Sequence, residues 1–224
     1  MAHRPLFFHD PVPLEPARLG DRGLTSKGSY RFAASTNAIP ISLSEMAVAA
    51  VWYPVVFADE AGARPLAIVG LRTDENLYVD EAGRWLHGAY VPAYVRCYPF
   101  ILAQGPEAPG PTLCVDDASD LLQPGGRALF RNGAPTKLLH AAFDICQGFQ
   151  TAERGNAAFV AGLAEHGLLT PRKAQANLGG GKEVQLGGFR TIDEAAFRAL
   201  PDEVFLSFRR RGWLPAIYAQ IASA

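Results

Sequence analysis

Apolar positions along the 224-residue chain follow two different rhythms, with the change near residue 136. Before it come short runs, "YPVVFA", "PLAIVGLR", "NLYVD", "RWLHGAY" and "TLCVD", rich in β-branched and aromatic residues. The turn-forming stretches "DEAGARP", "TDE" and "DEAG" separate them, which predicts an antiparallel sheet. "VDEAGRW" reads as a hairpin in which Gly83 supplies the positive φ of a tight connection and Trp85 points into the core. "KGSYRFAAS" opens the regular structure as a strand. One helix is predicted inside this region, over residues 43–53: Ser42 and Glu45 have capping-box spacing, and Pro54 stops the helix.

After residue 136 the period becomes helical. Leu138, Leu139, Ala142, Phe143, Cys146 and Phe149 recur at three- and four-residue intervals in "KLLHAAFDICQGFQTAE", with Thr136 as its cap. Asn156 has the chemistry to cap a second helix, "AAFVAGLAEH", closed by Gly167, so the two are expected to pack as a hairpin. "KAQANLGGGKE" reads as a loop, "VQLGGFRTID" as a strand returning to the sheet, and the remainder as helices interrupted at Pro201 and Gly212. The expectation is a single α+β domain over residues 28–224, with an antiparallel sheet covered by helices and a C-terminal half that is mainly helical. Residues 1–27, rich in Pro, Gly and charge, are expected as an N-terminal arm over its surface.

Composition narrows the partners. Lys plus Arg is 21 and Asp plus Glu is 22, so no global positive field attracts nucleic acid or anionic lipid. The longest apolar runs fall short of the roughly 20 residues that span a bilayer as a helix, and the N-terminus lacks the pattern of a signal peptide. A cytoplasmic protein without a membrane span is expected. Cys97, Cys114 and Cys146 are odd in number, with no CxxC pair, and read as reduced, buried thiols.

Chemistry-bearing motifs are scarce. His3, His9, His87, His140 and His166 show no metal-ligand spacing, so no metal and no cofactor is expected. "GGGKE", residues 179–183, lacks the hydroxyl of a phosphate loop, and no GxSxG elbow is present. No catalytic residue is identified. The basic run "FRRRGW" reads as a helix end whose cations complement the macrodipole.

The densest signal is "YVPAYVRCYPF". Two-residue alternation puts Tyr94, Arg96 and Tyr98 on one face, opposite Val95 and Cys97. Short hairpins bring Arg72, Asn76 and Arg84 alongside. These six are the ligand-binding candidates, since a guanidinium–aromatic surface stacks on planar or sugar-like ligands.

Several phrases together, "RFAASTNAIPISLSEMAVAAVWYPVVFA", "LAIVGLRTDENLYVDEAGRWLHGAYVPAYVRCYPFILA", "LFRNGAPT" and "RRGWLPAIYAQIAS", resemble the SapC family over residues 30–223. These are bacterial proteins of about this size, named after a component linked to surface-layer formation; an unrelated transporter permease carries the same name. The resemblance implies a supporting role in the modification or uptake of peptides or sugars. The leading expectation is an accessory binding protein for a protein, peptide or small-molecule partner, with homo-oligomer formation open. The alternatives are an enzyme acting on a peptide or amino-acid side chain, with iron held by scattered residues, and a surface-layer assembly protein.

Overall fold

The computed structural model describes residues 4–25, 29–59, 63–104, 110–177, 180 and 183–224. His3, Gly179, Gly181 and Lys182 of the motifs above lie outside them. In chain order the elements are β1 (Pro11–Pro13), α1 (Pro16–Leu19), β2 (Arg22–Leu24), β3 (Ala38–Pro40), α2 (Met46–Ala49), β4 (Val55–Ala58) and β5 (Pro65–Ile68). Next come α3 (Ala93–Cys97), β6 (Phe100–Gln104), β7 (Pro111–Asp116), β8 (Leu122–Pro124), β9 (Phe130–Arg131), β10 (Ala134–Pro135) and α4 (Lys137–Glu165). The chain ends with β11 (Leu169–Asn177), β12 (Glu183–Ile192), α5 (Glu194–Arg198), α6 (Asp202–Arg210) and α7 (Leu214–Ser223). Every strand pair among the described residues is antiparallel, and the α+β class read from the sequence holds. No helix among the described residues is long and apolar enough to cross a membrane.

Two sheets organise the molecule. The larger has the strand order β11-β12-β4-β5-β3, and the smaller has the order β1-β7-β6. Strand alternation divides β4 between two clusters: Val55 and Phe57 enter the main core, whereas Val56 packs with Ile68 and Phe189 on the opposite face. Both faces are therefore covered, which is why all of "VVFA" is apolar and buried. β1 and β2 of the N-terminal segment pair with β7 and β8.

Helix α4 joins the two halves. It is one continuous helix of 29 residues, where the sequence suggested two helices broken near Asn156. Leu139 and Cys146 near its start belong to the core beneath the small sheet, while Phe159, Val160 and Leu163 belong to the main core. Asn156 does not cap anything. It is buried, and its amide accepts from Leu43 N–H at 2.7 Å and donates to the Ile41 carbonyl at 3.1 Å, tying α4 to the chain entering α2. Thr136 occupies the N-cap position, but its hydroxyl donates back to the carbonyls of Ala128 and Leu129. Gly167 closes α4 as expected: at φ 65° it allows Leu168 N–H to reach the Leu163 carbonyl.

Other differences have local causes. The predicted helix 43–53 is a 3-10 turn, Leu43–Glu45, followed by α2 alone. Residues 70–90 carry a single isolated bridge, Val79 with Trp85, in place of two strands. Here side chains take over the ladder's role: Asn76 accepts from Tyr78 N–H, and the Asp80 carboxylate from Arg84 N–H across the turn at Gly83, φ 79°. "KAQAN" is part of β11, not a loop, and pairs with β12 in a long hairpin with a bulge between Arg172 and Ala174. β11 is the sheet's edge, and residues Pro171–Gln175 are exposed.

Candidate functional site

The six sequence candidates do not share one strand face. Residues 93–97 form the helical turn α3, started after Pro92, so Tyr94, Arg96 and Tyr98 point in different directions. Tyr98 is buried, stacks on Phe32 at 4.0 Å and donates to Asp116 Oδ2 at 2.9 Å. Burial, together with the Asp116 carboxylate, pushes its phenol pKa up. Asn76 is buried too, donating to the Ala33 carbonyl. Arg72 and Arg84 are exposed and paired with Glu75 at 2.7 Å and Asp80 at 2.8 Å. Arg96 is exposed and lies 5.9 Å from the ring centre of Tyr90. Tyr94 alone of the six lines the groove described next.

Two buried carboxylates fix this region. Glu45 accepts four hydrogen bonds, from Ser42 N–H and Oγ and from Tyr90 Oη and Ala93 N–H, at 2.7–3.0 Å. Glu45 was visible in the sequence as a capping residue, but its partners 45 and 48 residues away were not. Burial and the Glu45 hydrogen bond push the Tyr90 phenol up to about 12. Asp116, fully buried, accepts from Tyr98 Oη and from His9 N–H and Asp10 N–H. It thereby latches residues 4–10, a strap, onto the domain. Phe7 in the strap has φ 75° and packs its ring 5.2 Å from Phe32 and 5.6 Å from Tyr94, whose hydroxyl donates to the Leu6 carbonyl at 2.9 Å.

Between the strap, α4 and the large sheet runs a groove. One section, of about 650 Å³, is lined by Asp59, Arg64, Glu153, Asn156, Val160, Leu169 and Arg190, with Ala63, Ala157, Ala161 and Ala164. A second, of about 560 Å³, continues past Arg64 and Glu153 to Arg4, Pro5, Leu6, Leu66, Tyr94 and Ile101. A small extension of about 90 Å³ reaches Cys97 and Cys146 below Phe149. Arg64 and Glu153 line both larger sections, and Tyr94, Ile101 and Glu153 line the second and the smallest, so the three adjoin along one groove, or channel. The alanines of α4 recur at i, i+4 and i+7, and their short side chains leave its volume open.

The channel's charge is uneven. Arg190 pairs with Asp59 at 2.5 Å. The side chains of Arg64 and Glu153, both half-buried, make no hydrogen bond or ion pair with each other or with any described residue. Burial pushes Tyr94 up strongly, with Arg64 opposing that shift and Glu153 adding to it. Contact with the Cys146 thiol and burial raise Cys97, so the Cys97 sulfur is not an activated nucleophile. No three His, Cys, Asp or Glu side chains among the described residues come together in a metal-binding arrangement. The sequence hid this site because Arg64 sat in what read as a turn, and Glu153 at a presumed helix end.

The SapC family model matches residues 14–224, and the chain belongs to that family. No curated protein and no solved structure matched the chain.

Proposed function

We propose that this SapC-family chain is a non-catalytic accessory protein of the cytoplasm that holds a peptide or small polar ligand in the groove between α4, the large sheet and the strap. The observation that carries the reading is the channel itself. It has an apolar floor of small side chains, rims of both charges, and sections of about 650 and 560 Å³, sizes typical of ligand sites. Its polar groups are guanidinium, carboxylate and phenol, which orient a ligand by hydrogen bonds, while Cys97 and Cys146 are buried and the Cys97 thiol is held protonated. Of the six residues singled out in the sequence, Tyr94 carries over into this site.

Native mass spectrometry of the protein isolated from its own host tests the proposal. An organic ligand should remain bound to the wild-type chain and be absent from Ala161→Trp, which fills the channel from an exposed position on α4. Ligand retained equally by a folded Ala161→Trp protein would move the function elsewhere.

A further inference from the structure

We infer that Arg64 and Glu153 read the two ends of a zwitterionic ligand, a short amino-acid chain with a free carboxylate and a free ammonium group; the inference rests on the groove being the binding site. Both side chains line both main sections of the channel, so each borders the same space. They carry opposite charges, yet they are not paired with each other, nor with any described residue. The contrast lies a few residues away, where Arg190 and Asp59 close on each other at 2.5 Å.

Opposite charges lining one channel attract, and a half-buried charge left without a partner loses hydration that nothing replaces. Two such charges held apart fit a ligand that supplies both missing partners. A carboxylate matches the planar donor fork of a guanidinium, and an ammonium matches the acceptor pair of a carboxylate. The lining also includes the aliphatic side chains of Ala157 and Ala161 in one section and Leu66 in the other, which suits apolar side chains along the ligand. Tyr94 cannot replace the missing donor at Glu153, because its hydroxyl hydrogen is committed to the Leu6 carbonyl.

The test is calorimetric titration with Ala-Leu-Ala, its N-acetylated form and its C-terminal amide, against wild type, Arg64→Met and Glu153→Gln, each first shown to keep the wild-type melting temperature. Wild type should bind the free tripeptide about tenfold or more tightly than either blocked form, the scale of a charge-assisted contact. Amidation should cost nothing further in Arg64→Met, and acetylation nothing further in Glu153→Gln. Equal losses in wild type and variant, or no binding of any of the three peptides, overturn the charge assignment. Binding that ignores both blocked termini but disappears in Ala161→Trp leaves the groove as the site and removes the zwitterion. The groove reading itself falls only on the co-purified ligand of the previous section.

Discussion

Tyr98 and Asp116 show how a single carboxylate is held in the interior of this protein without a cation. Three donors surround it, and removing them would strand the charge. The converse change, Asp116→Ala, leaves Tyr98 Oη and the His9 and Asp10 amides without their acceptor, an expected loss of about 2–4 kcal/mol in denaturant unfolding. Amide exchange should accelerate first at residues 6–10, and exchange unchanged there would mean that the strap is held by Phe7 alone. Trp85 makes a second case. It is 8% exposed, donates to Tyr53 Oη at 3.2 Å and lies 5.5 Å from the Tyr30 ring. Trp85→Ala should cost about 3–5 kcal/mol, whereas Arg96→Ala, removing an exposed cation–π contact, should cost under about 1 kcal/mol. A denaturation midpoint that Trp85→Ala leaves unmoved would contradict the burial described here.

Among the elements, α4 carries three glycines with opposite expected responses. A Cβ at Gly148 or Gly155 meets nothing within 4 Å, so Ala at either should stabilise by about 0.5–1 kcal/mol through backbone entropy. A Cβ at Gly162 would lie 2.5 Å from the Trp213 ring, so Gly162→Ala should destabilise by about 1–3 kcal/mol. Thermal melts of the three variants check the signs, and a stabilising Gly162→Ala would mean that Trp213 packs elsewhere. These glycines also explain what the sequence could show of the helix. Its apolar period was plain, and so was its end at Gly167, but Gly155 beside Asn156 imitates a boundary. Asn156 is polar because it reaches across to Ile41 and Leu43, a tertiary reason that no local pattern displays. The central strands β4 and β5 were legible from β-branched runs between turns. Residues 93–97 were misread because Tyr-Val-Arg-Cys-Tyr alternates like a strand, whereas Pro92 and Pro99 confine it to one helical turn. The groove was the least legible, since Arg64 and Glu153 lie far apart in the chain and share only space.

At the scale of the whole molecule, four phenols, those of Tyr53, Tyr90, Tyr94 and Tyr98, are held protonated, mainly by burial. In the unfolded chain they ionise near pH 10. Between that value and the raised folded values, about 12 for Tyr90, the unfolded state binds fewer protons, so stability falls as pH rises. Tyrosinate absorbance from these four should therefore appear together with loss of the circular dichroism of the fold. A smooth titration near pH 10 with the fold intact would refute the shifts. Because α4 belongs to both cores, alkaline loss around Tyr98 should bring the large sheet down with it. The open side of that sheet has a different consequence. β11 is an edge strand with no further strand beside it among the described residues, and such an edge is a template on which strands of other molecules polymerise. Pro171 breaks the donor row, the bulge at Arg172–Ala174 bends it, and the Arg172 and Lys173 charges repel an identical neighbour. The hairpin thus guards its own edge against fibril growth, and the double change Arg172→Val with Lys173→Val should make the apparent molar mass from light scattering rise with protein concentration more steeply than for wild type.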